Sequence, residues 1–218
     1  MKLKLDLHVH TNRSPDGYTP PEDLPRVAKQ RGLDGFAITD HNILSSDSDE
    51  ELLILPGVEI STRDGHVIGL GISEIIPRGL SADETIRRVR QLGGVSIVAH
   101  PYDLFRPAVR LHLLTENPNA IEVINSASFL HSYSWARARK FAEKGDYPMT
   151  GGSDSHIPDT LGRAYTEIES ESKDVRSVLA SLEAGNVSPC GTAVGMRERF
   201  RKRLYTMREA RQSNRGRS

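Results

Sequence analysis

Two histidines separated by one residue, His8 and His10, are the first side chains of the sequence that could bind a metal ion. They end an alternating, mostly apolar run from Leu3, which predicts a β-strand with both imidazoles on one face. The segment 14–17, Ser-Pro-Asp-Gly, is a turn signal that returns the carboxylate of Asp16 to the end of this strand. These three side chains indicate a cation site, but so short a motif needs support from the rest of the chain.

Further imidazole, carboxylate and amide side chains recur at or just after the ends of predicted strands. They are Asp40, His41, Glu59, His100, Asn125, Asp154 and His156. His66 differs because it precedes its predicted strand, so its position alone argues against a ligand role. Burying this many titratable groups together without a cation would be costly, and the set therefore predicts bound metal. The donors are too many for one tetrahedral ion.

Short apolar runs alternate with amphipathic segments through most of the chain. The runs predict strands at residues 3–10, 35–39, 54–58, 67–72, 95–99, 120–124, 147–150 and, as the last strand, 164–168. The amphipathic segments predict helices at residues 20–31, 81–92, 135–144 and 173–184. Thr19 is the predicted cap of the first helix, although Pro25 could move its start to Asp23. This alternation predicts a parallel α/β barrel, in which the carboxyl ends of the strands converge on the active-site face.

Charge is distributed unevenly in this 218-residue chain, whose formal net charge is zero. Segment 197–218 has nine basic and two acidic residues, which gives +7 and leaves −7 for the preceding residues. An acidic body suits cation binding, and the basic tail could bind nucleic acid or the body itself. Phe200, Leu204 and Met207 predict an amphipathic tail helix that docks on the body, and a solvated helix that frays after Arg211 is the alternative.

The single cysteine, Cys190, excludes an intramolecular disulfide and is typical of a reducing compartment. No stretch approaches the roughly 18 apolar residues that a membrane span needs. We therefore expect a cytoplasmic protein that does not contact a membrane, and the sequence leaves its oligomeric state open.

Five segments, in order along the chain, carry a resemblance to a known family. They are His8-x-His10, Ile38-Thr-Asp-His41, Gly57-Val-Glu59, Ala99-His-Pro101 and Gly152-Ser-Asp-Ser-His156. As a set they resemble the PHP (polymerase and histidinol phosphatase) family of metal-dependent phosphoesterases. The resemblance implies a distorted (β/α)7 barrel over residues 1–190, followed by a basic C-terminal extension over residues 191–218.

The resemblance also implies a site for two to three divalent metal ions, Mn, Fe or Zn. It assigns His8, His10, Glu59 and Asp154 to one ion, and Asp16, His41 and His156 to a second. Glu59 would bridge to a third ion, held also by His66 and His100. Because some relatives have a histidine where Asp16 stands, the second site is expected to favour Mn or Fe over Zn.

Such a centre implies that a metal-activated water attacks phosphorus, without a protein nucleophile. Glu59 and His41 would act in catalysis as metal ligands, and Asp40 would orient a ligand or accept a proton. The candidate substrate contacts are Arg13, Arg106, Asn125 and His131. Arg13 could equally be a solvated turn residue, and His131 lies in a predicted polar loop at 126–134.

Two classes of function remain open from the sequence. The first is an enzyme that hydrolyses phosphate esters, with phosphomonoesters of nucleotides or short oligonucleotides as expected substrates and histidinol phosphate as an alternative. Its partner would be a phosphorylated small molecule or a nucleic-acid end. The second is a non-catalytic RNA-binding scaffold of the ribonuclease P protein type. The complete donor set favours the enzyme, because a scaffold does not need it.

Overall fold

The computed structural model describes the backbone of residues 1–215 and the side chains of residues 1–208, which contain nine strands and five α-helices. The strands are β1 (Lys2–Val9), β2 (Gly35–Ile38), β3 (Leu53–Ser61), β4 (His66–Leu70), β5 (Val95–Val98), β6 (Ala120–Asn125), β7 (Met149–Gly152), β8 (Ala164–Glu169) and β9 (Val187–Gly191). The helices are α1 (Leu24–Gln30), α2 (Ala82–Gln91), α3 (His131–Lys144), α4 (Val175–Glu183) and α5 (Met196–Arg215). None of these helices combines the length and apolar character required to cross a membrane.

All nine strands form one sheet that curls into a nearly closed barrel. The strand order is β7-β6-β5-β4-β3-β2-β1-β8-β9. The segment after β7 closes the barrel against the end of β1, because His10 N donates to Ser155 O at 2.8 Å and Asp154 N donates to His8 O at 2.8 Å. This closure brings the first and last groups of predicted metal ligands side by side.

The α/β barrel-like architecture agrees with the prediction, but the seven-unit (β/α) repeat implied by the resemblance is not confirmed. Strand β4 is antiparallel to both β3 and β5, and β8 is antiparallel to both β1 and β9. The other pairings, β1 with β2, β2 with β3, β5 with β6 and β6 with β7, are parallel. As a result, the amino end of β4 lies at the same edge as the carboxyl ends of its two neighbours.

A register shift in β1 turns its histidines toward the site. Leu3, Leu5 and Leu7 alternate along the strand and pack in one buried cluster with residues of β3, β5 and α4. The pairing with β2 shifts between Asp6 and Val9, and Val9 packs in a separate cluster with α1. A bulge of this kind re-aims the side chains that follow it.

Most predicted elements are present, with shifted ends. The Ser81 cap is confirmed, because Ser81 Oγ accepts from Glu84 N at 3.1 Å. The Asp23 start of α1 is also confirmed, whereas the Thr19 cap is not. Helix α3 begins at His131, inside the predicted polar loop. The prediction that residues 164–168 form the last strand is wrong, because β9 follows; its Val-Ser-Pro-Cys-Gly sequence lacks a strand pattern.

The basic tail forms helix α5, which continues past Arg211 to Arg215. The side chains expected to dock on the body are instead solvent-exposed, at 62% for Phe200, 39% for Leu204 and 46% for Met207. Helix α5 docks on the body, which was one of the two alternatives for the tail, but it does so through charged and polar side chains and Tyr205 instead of these three apolar positions. The side chains of Arg211 and Arg215, and all of Arg217, lie outside the described part of the chain.

Candidate metal centre

All nine residues predicted as metal ligands lie together at one edge of the barrel. Their side chains form five overlapping groups of three, and the donor atoms within each group lie within 4.8 Å of one another. The groups are His8–His10–Glu59, His8–His100–Asp154, His10–Asp154–His156, His10–Asp16–His41 and His41–Glu59–His66. Because the groups share residues, the nine side chains form one continuous cluster of possible metal ligands.

The sheet topology explains why His66 belongs to this cluster. His66 begins β4, and its Nδ1 lies 2.9 Å from Glu59 Oε1 on the antiparallel neighbour β3. The position before its strand argued against a ligand role only under the assumption that every strand runs in the same direction. The reversal of β4 places its first residue at the edge where the other strands end.

Glu59 lies at the centre of the cluster and is 1% exposed. Its Oε1 lies 2.9 Å from His66 Nδ1 and 3.1 Å from His100 Nε2. Its Oε2 lies within 3.4 Å of ring nitrogens of three further histidines: His8, His10 and His41. A carboxylate that faces imidazoles with both oxygens has the arrangement needed to bridge two cations.

The orientation of the first two histidines favours a cation between them. His8 Nδ1 donates to Glu122 Oε1 at 3.0 Å, which leaves a lone pair on His8 Nε2. This atom lies only 3.1 Å from His10 Nε2. Two neutral imidazole nitrogens cannot both present lone pairs at that distance without repulsion. A proton or a metal ion that both nitrogens bind removes the repulsion.

Asp154 divides its two oxygens between the histidines and an arginine. Its Oδ1 lies 3.3 Å from His10 Nε2, while its Oδ2 pairs with Arg106 and accepts from Asn125 Nδ2 at 3.1 Å. Asp154 and His100 also have left-handed backbones, with φ of 53° and 30°. Such a conformation costs about 1–3 kcal/mol and is typical of functional sites.

Asp16 and His41 form the most open part of the cluster. Asp16 Oδ2 lies 2.8 Å from His156 Nε2 and 4.0 Å from His41 Nε2. Among the described side chains, Asp16 Oδ1 and His41 Nδ1 are buried without a hydrogen-bond partner. Buried polar atoms of this kind are typical of sites that bind an ion or an ordered water.

The pKa values show how strongly the carboxylates attract positive charge. Burial disfavours charge on His8, but Asp154, Glu122 and Glu59 outweigh burial and raise its pKa well above the ordinary value. Burial likewise opposes charge on His10, but hydrogen bonds to Asp154 and Glu59 raise its pKa to about 9. Burial alone would raise the pKa of Glu59 and Asp154, yet nearby His8 helps hold both well below their usual range.

The donor set therefore fits divalent cations. Imidazole nitrogens and carboxylate oxygens are ligands for Zn, Fe and Mn, and such ions can replace the protons that otherwise balance the carboxylates. Among the described side chains, three polar atoms of the cluster residues have no hydrogen-bond partner: Asp16 Oδ1, His41 Nδ1 and His100 Nδ1. The ring nitrogens of His8 and His10 that face each other lie in the same cluster.

The predicted catalytic residue Asp40 lies behind the cluster. It is 1% exposed, and its two oxygens accept from Thr11 N at 2.7 Å and Thr11 Oγ1 at 2.6 Å. These bonds fix the segment that follows His10. The arrangement supports an orienting role, one of the two alternatives for Asp40.

The four predicted substrate contacts lie in different environments. Arg106 Nη2 donates to Asn125 Oδ1 at 3.1 Å, so these two meet beside Asp154. Arg13 is paired with Asp47, its Nη2 lying 2.8 Å from Asp47 Oδ1 near the surface. His131 begins α3, and its ring centroid lies 5.2 Å from that of Trp135.

Two kinds of functional residue were missed from the sequence. Glu122 is 3% exposed within β6, and it accepts from both His8 Nδ1 and His100 N. An acidic residue inside an otherwise apolar strand was the available signal. Arg199 and Lys202 of α5 reach the site from the basic tail, and no local pattern could reveal that.

A pocket of about 180 Å³ opens directly beside the cluster. Its walls include Asp16, Asp154 and His156 from the cluster, Arg106, and Glu198, Arg199 and Lys202 of α5. A larger pocket of about 590 Å³ lies near Arg63 and Arg110 and contains none of the nine donors. The smaller pocket is therefore the candidate substrate site.

Comparison with known proteins identifies relatives of this chain. The model of a PHP-associated family matches residues 134–187. An uncharacterized protein of Methanocaldococcus jannaschii is 34% identical over 141 residues, covering 57% of this chain and 82% of the relative. A protein of Shewanella loihica named "Probable phosphatase" is 28% identical over 209 residues, covering 78% of this chain and 84% of the relative.

Solved structures share the fold at low sequence identity. A two-domain protein of Bacteroides vulgatus, described as containing a predicted PHP-like metal-dependent phosphoesterase, has a TM-score of 0.65 and 18% identity, covering 93% of this chain and 69% of the other. Endonuclease Q, in complex with a 27-mer duplex carrying an abasic lesion, has a TM-score of 0.68 and 16% identity, with coverages of 88% and 60%.

Proposed function

Because the chain belongs to the PHP family of metal-dependent phosphoesterases, we propose that it is a hydrolase acting on phosphomonoesters of nucleotides or short oligonucleotides. The observation that carries this proposal is the convergence of nine imidazole and carboxylate donors beside a small pocket whose walls include two arginines and a lysine. Two or three ions of Mn, Fe or Zn would be held by these residues.

Divalent ions in such a cluster supply Lewis-acid chemistry, which polarises a phosphoryl oxygen and lowers the pKa of a water to about 7. The residues of the chain provide the geometry for that chemistry. Glu59 holds imidazoles on both of its oxygens, and Glu122 fixes the tautomer of His8. Asp154 connects the cluster to Arg106, so a phosphoryl group bound at the cluster would have this guanidinium nearby.

An exposed aromatic pair supports a nucleotide as the substrate. Phe105 and Phe129 are 67% and 57% exposed, and their ring centroids lie 5.5 Å apart in an edge-to-face arrangement. Phe105 directly precedes Arg106, and the Arg199 guanidinium lies 5.2 Å from the Phe129 ring centroid. A base of a bound nucleotide could stack on this pair while its phosphate enters the pocket, and such stacking is worth about 1–3 kcal/mol.

A substrate panel tests the proposal. Mn-loaded protein is incubated with p-nitrophenyl phosphate, bis(p-nitrophenyl) phosphate, histidinol phosphate, nucleoside mono- and bisphosphates, and short single-stranded RNA and DNA. We expect chelator-sensitive release of phosphate, fastest with nucleotides or short oligonucleotides. Phosphate release without chain shortening identifies a phosphatase, and release of mononucleotides identifies an exonuclease.

Two histidine variants control the panel. His8→Ala removes a central donor and should abolish turnover, whereas His112→Ala removes an exposed histidine outside the cluster and should retain it. A metal-loaded protein without chelator-sensitive turnover on any substrate would contradict the enzymatic function. An unchanged KM for nucleoside monophosphates in Phe105→Ala would contradict base stacking on the pair of Phe105 and Phe129.

A further inference from the structure

Helix α5 is fixed at the mouth of the barrel by its charged residues. Glu198 pairs with Arg163, and Arg201 pairs with Asp159. Asp159 lies shortly after the cluster residue His156, so one of these ion pairs anchors α5 directly beside the site. The basic tail is therefore a wall of the substrate pocket.

The inward face of α5 carries two cations into the pocket. Arg199 donates to the backbone oxygens of Ala127 at 3.3 Å and Ser128 at 3.0 Å, which fixes its guanidinium at the pocket wall. Ser128 Oγ also accepts from Arg106 Nη2 at 3.2 Å. Residues 127–128 thus position both Arg199 of α5 and Arg106, which contacts Asp154.

Lys202 lies one helical turn after Arg199 and is half-buried. Among the side chains of residues 1–208, none forms a hydrogen bond or ion pair with its Nζ. Burial lowers the pKa of Lys202, while Asp154 and Asp16 oppose that shift. A partly desolvated ammonium without a partner is unfavourable, so this position is suited to binding an anion.

We propose that Arg199 and Lys202 are substrate-binding residues which, with Arg106, hold the non-bridging oxygens of the phosphoryl group. This inference rests on the proposed phosphoesterase function. Arginine offers paired N–H donors to phosphate oxygens, and lysine offers a compact charge. Because a terminal phosphate carries about −1.5 to −2 charge at pH 7 and a diester only one, the added charges of Arg199 and Lys202 favour monoesters.

Phosphate binding is the direct test. Metal-loaded full-length wild type and the variants Lys202→Met, Lys202→Arg and Arg203→Met are titrated with inorganic phosphate in a calorimeter, with metal content measured for each. Arg203 is the matched control, because it is an exposed cation on the same helix. We expect Lys202→Met to weaken phosphate binding at least about tenfold, as loss of a charged hydrogen bond does, and Arg203→Met to stay within about twofold.

Kinetics give a second measurement. Lys202→Met and Arg199→Met should raise KM for p-nitrophenyl phosphate more than for its bis ester, whereas Lys202→Arg should restore much of the monoester preference. The inference would be overturned if Lys202→Met bound phosphate within twofold of wild type, or if wild type did not bind phosphate. Lysine-dependent phosphate binding without hydrolysis of any ester would instead refute the proposed function and leave the anion site standing.

Discussion

Glu122→Gln is the sharpest test of how the cluster is organised. Glu122 Oε1 accepts from His8 Nδ1 at 3.0 Å, and Oε2 accepts from His100 N at 2.7 Å and Asn125 Nδ2 at 2.9 Å. Glutamine has the same shape but only one acceptor oxygen. If its amide nitrogen faces His8, the imidazole must move its proton to Nε2 and loses that atom as a ligand. If the nitrogen faces His100 and Asn125, two donors lose their acceptor.

Either orientation should weaken metal binding. Removal of the partner that orients a ligating histidine costs about 10–100-fold in metal affinity, which corresponds to about 1.4–2.8 kcal/mol. The assay is competitive titration of the metal-free protein with Mn or Zn against a chelating indicator. The control is Glu167→Gln, since Glu167 pairs with Lys2 away from the cluster.

Circular dichroism separates a local effect from a loss of the fold. A variant that remains folded and binds metal at least about tenfold more weakly supports the orienting role of Glu122. If Glu122→Gln remains folded and its metal affinity is within twofold of both wild type and the control, this reasoning is refuted.

Three further predictions concern the metal ions and the core. Glu59→Gln should reduce metal content more than any single histidine substitution, because both Glu59 oxygens face imidazoles. Elemental analysis measures the metal content, and an unchanged content would exclude a bridging role for Glu59. Wild type should contain two to three metal ions per chain. A metal ion present at 1,000 times its Kd stabilises the folded protein by about 4.1 kcal/mol, so its removal by a chelator should lower Tm by about 8–16 °C. Leu5→Ala, at a fully buried position, should cost about 2–5 kcal/mol in chemical denaturation, whereas Leu113→Ala, at a position 60% exposed, should cost far less.

The sequence alone identified the α/β barrel and the residues that meet in the cluster. This was achievable because strand ends are local features, marked by apolar runs that stop at a polar residue. His8, His100 and Asp154 each follow such a run, and a barrel gathers the carboxyl ends of its parallel strands at one edge. The resemblance assigned His66 to the cluster, although its position before a strand argued against a ligand role. That position was misleading because strand direction is set by pairing, which hydrophobic periodicity does not encode.

Only the tertiary structure decided which distant segments complete the site. Glu122 looked like part of an ordinary strand, and its contact with His8 spans 114 residues of sequence. The tail predicted an amphipathic helix from Phe200, Leu204 and Met207, yet long-range ion pairs of Glu198 and Arg201 determine which face docks. Local patterns report how a segment can bury its own apolar surface. They do not report which charges it will meet across the fold, and those charges place α5 at the pocket.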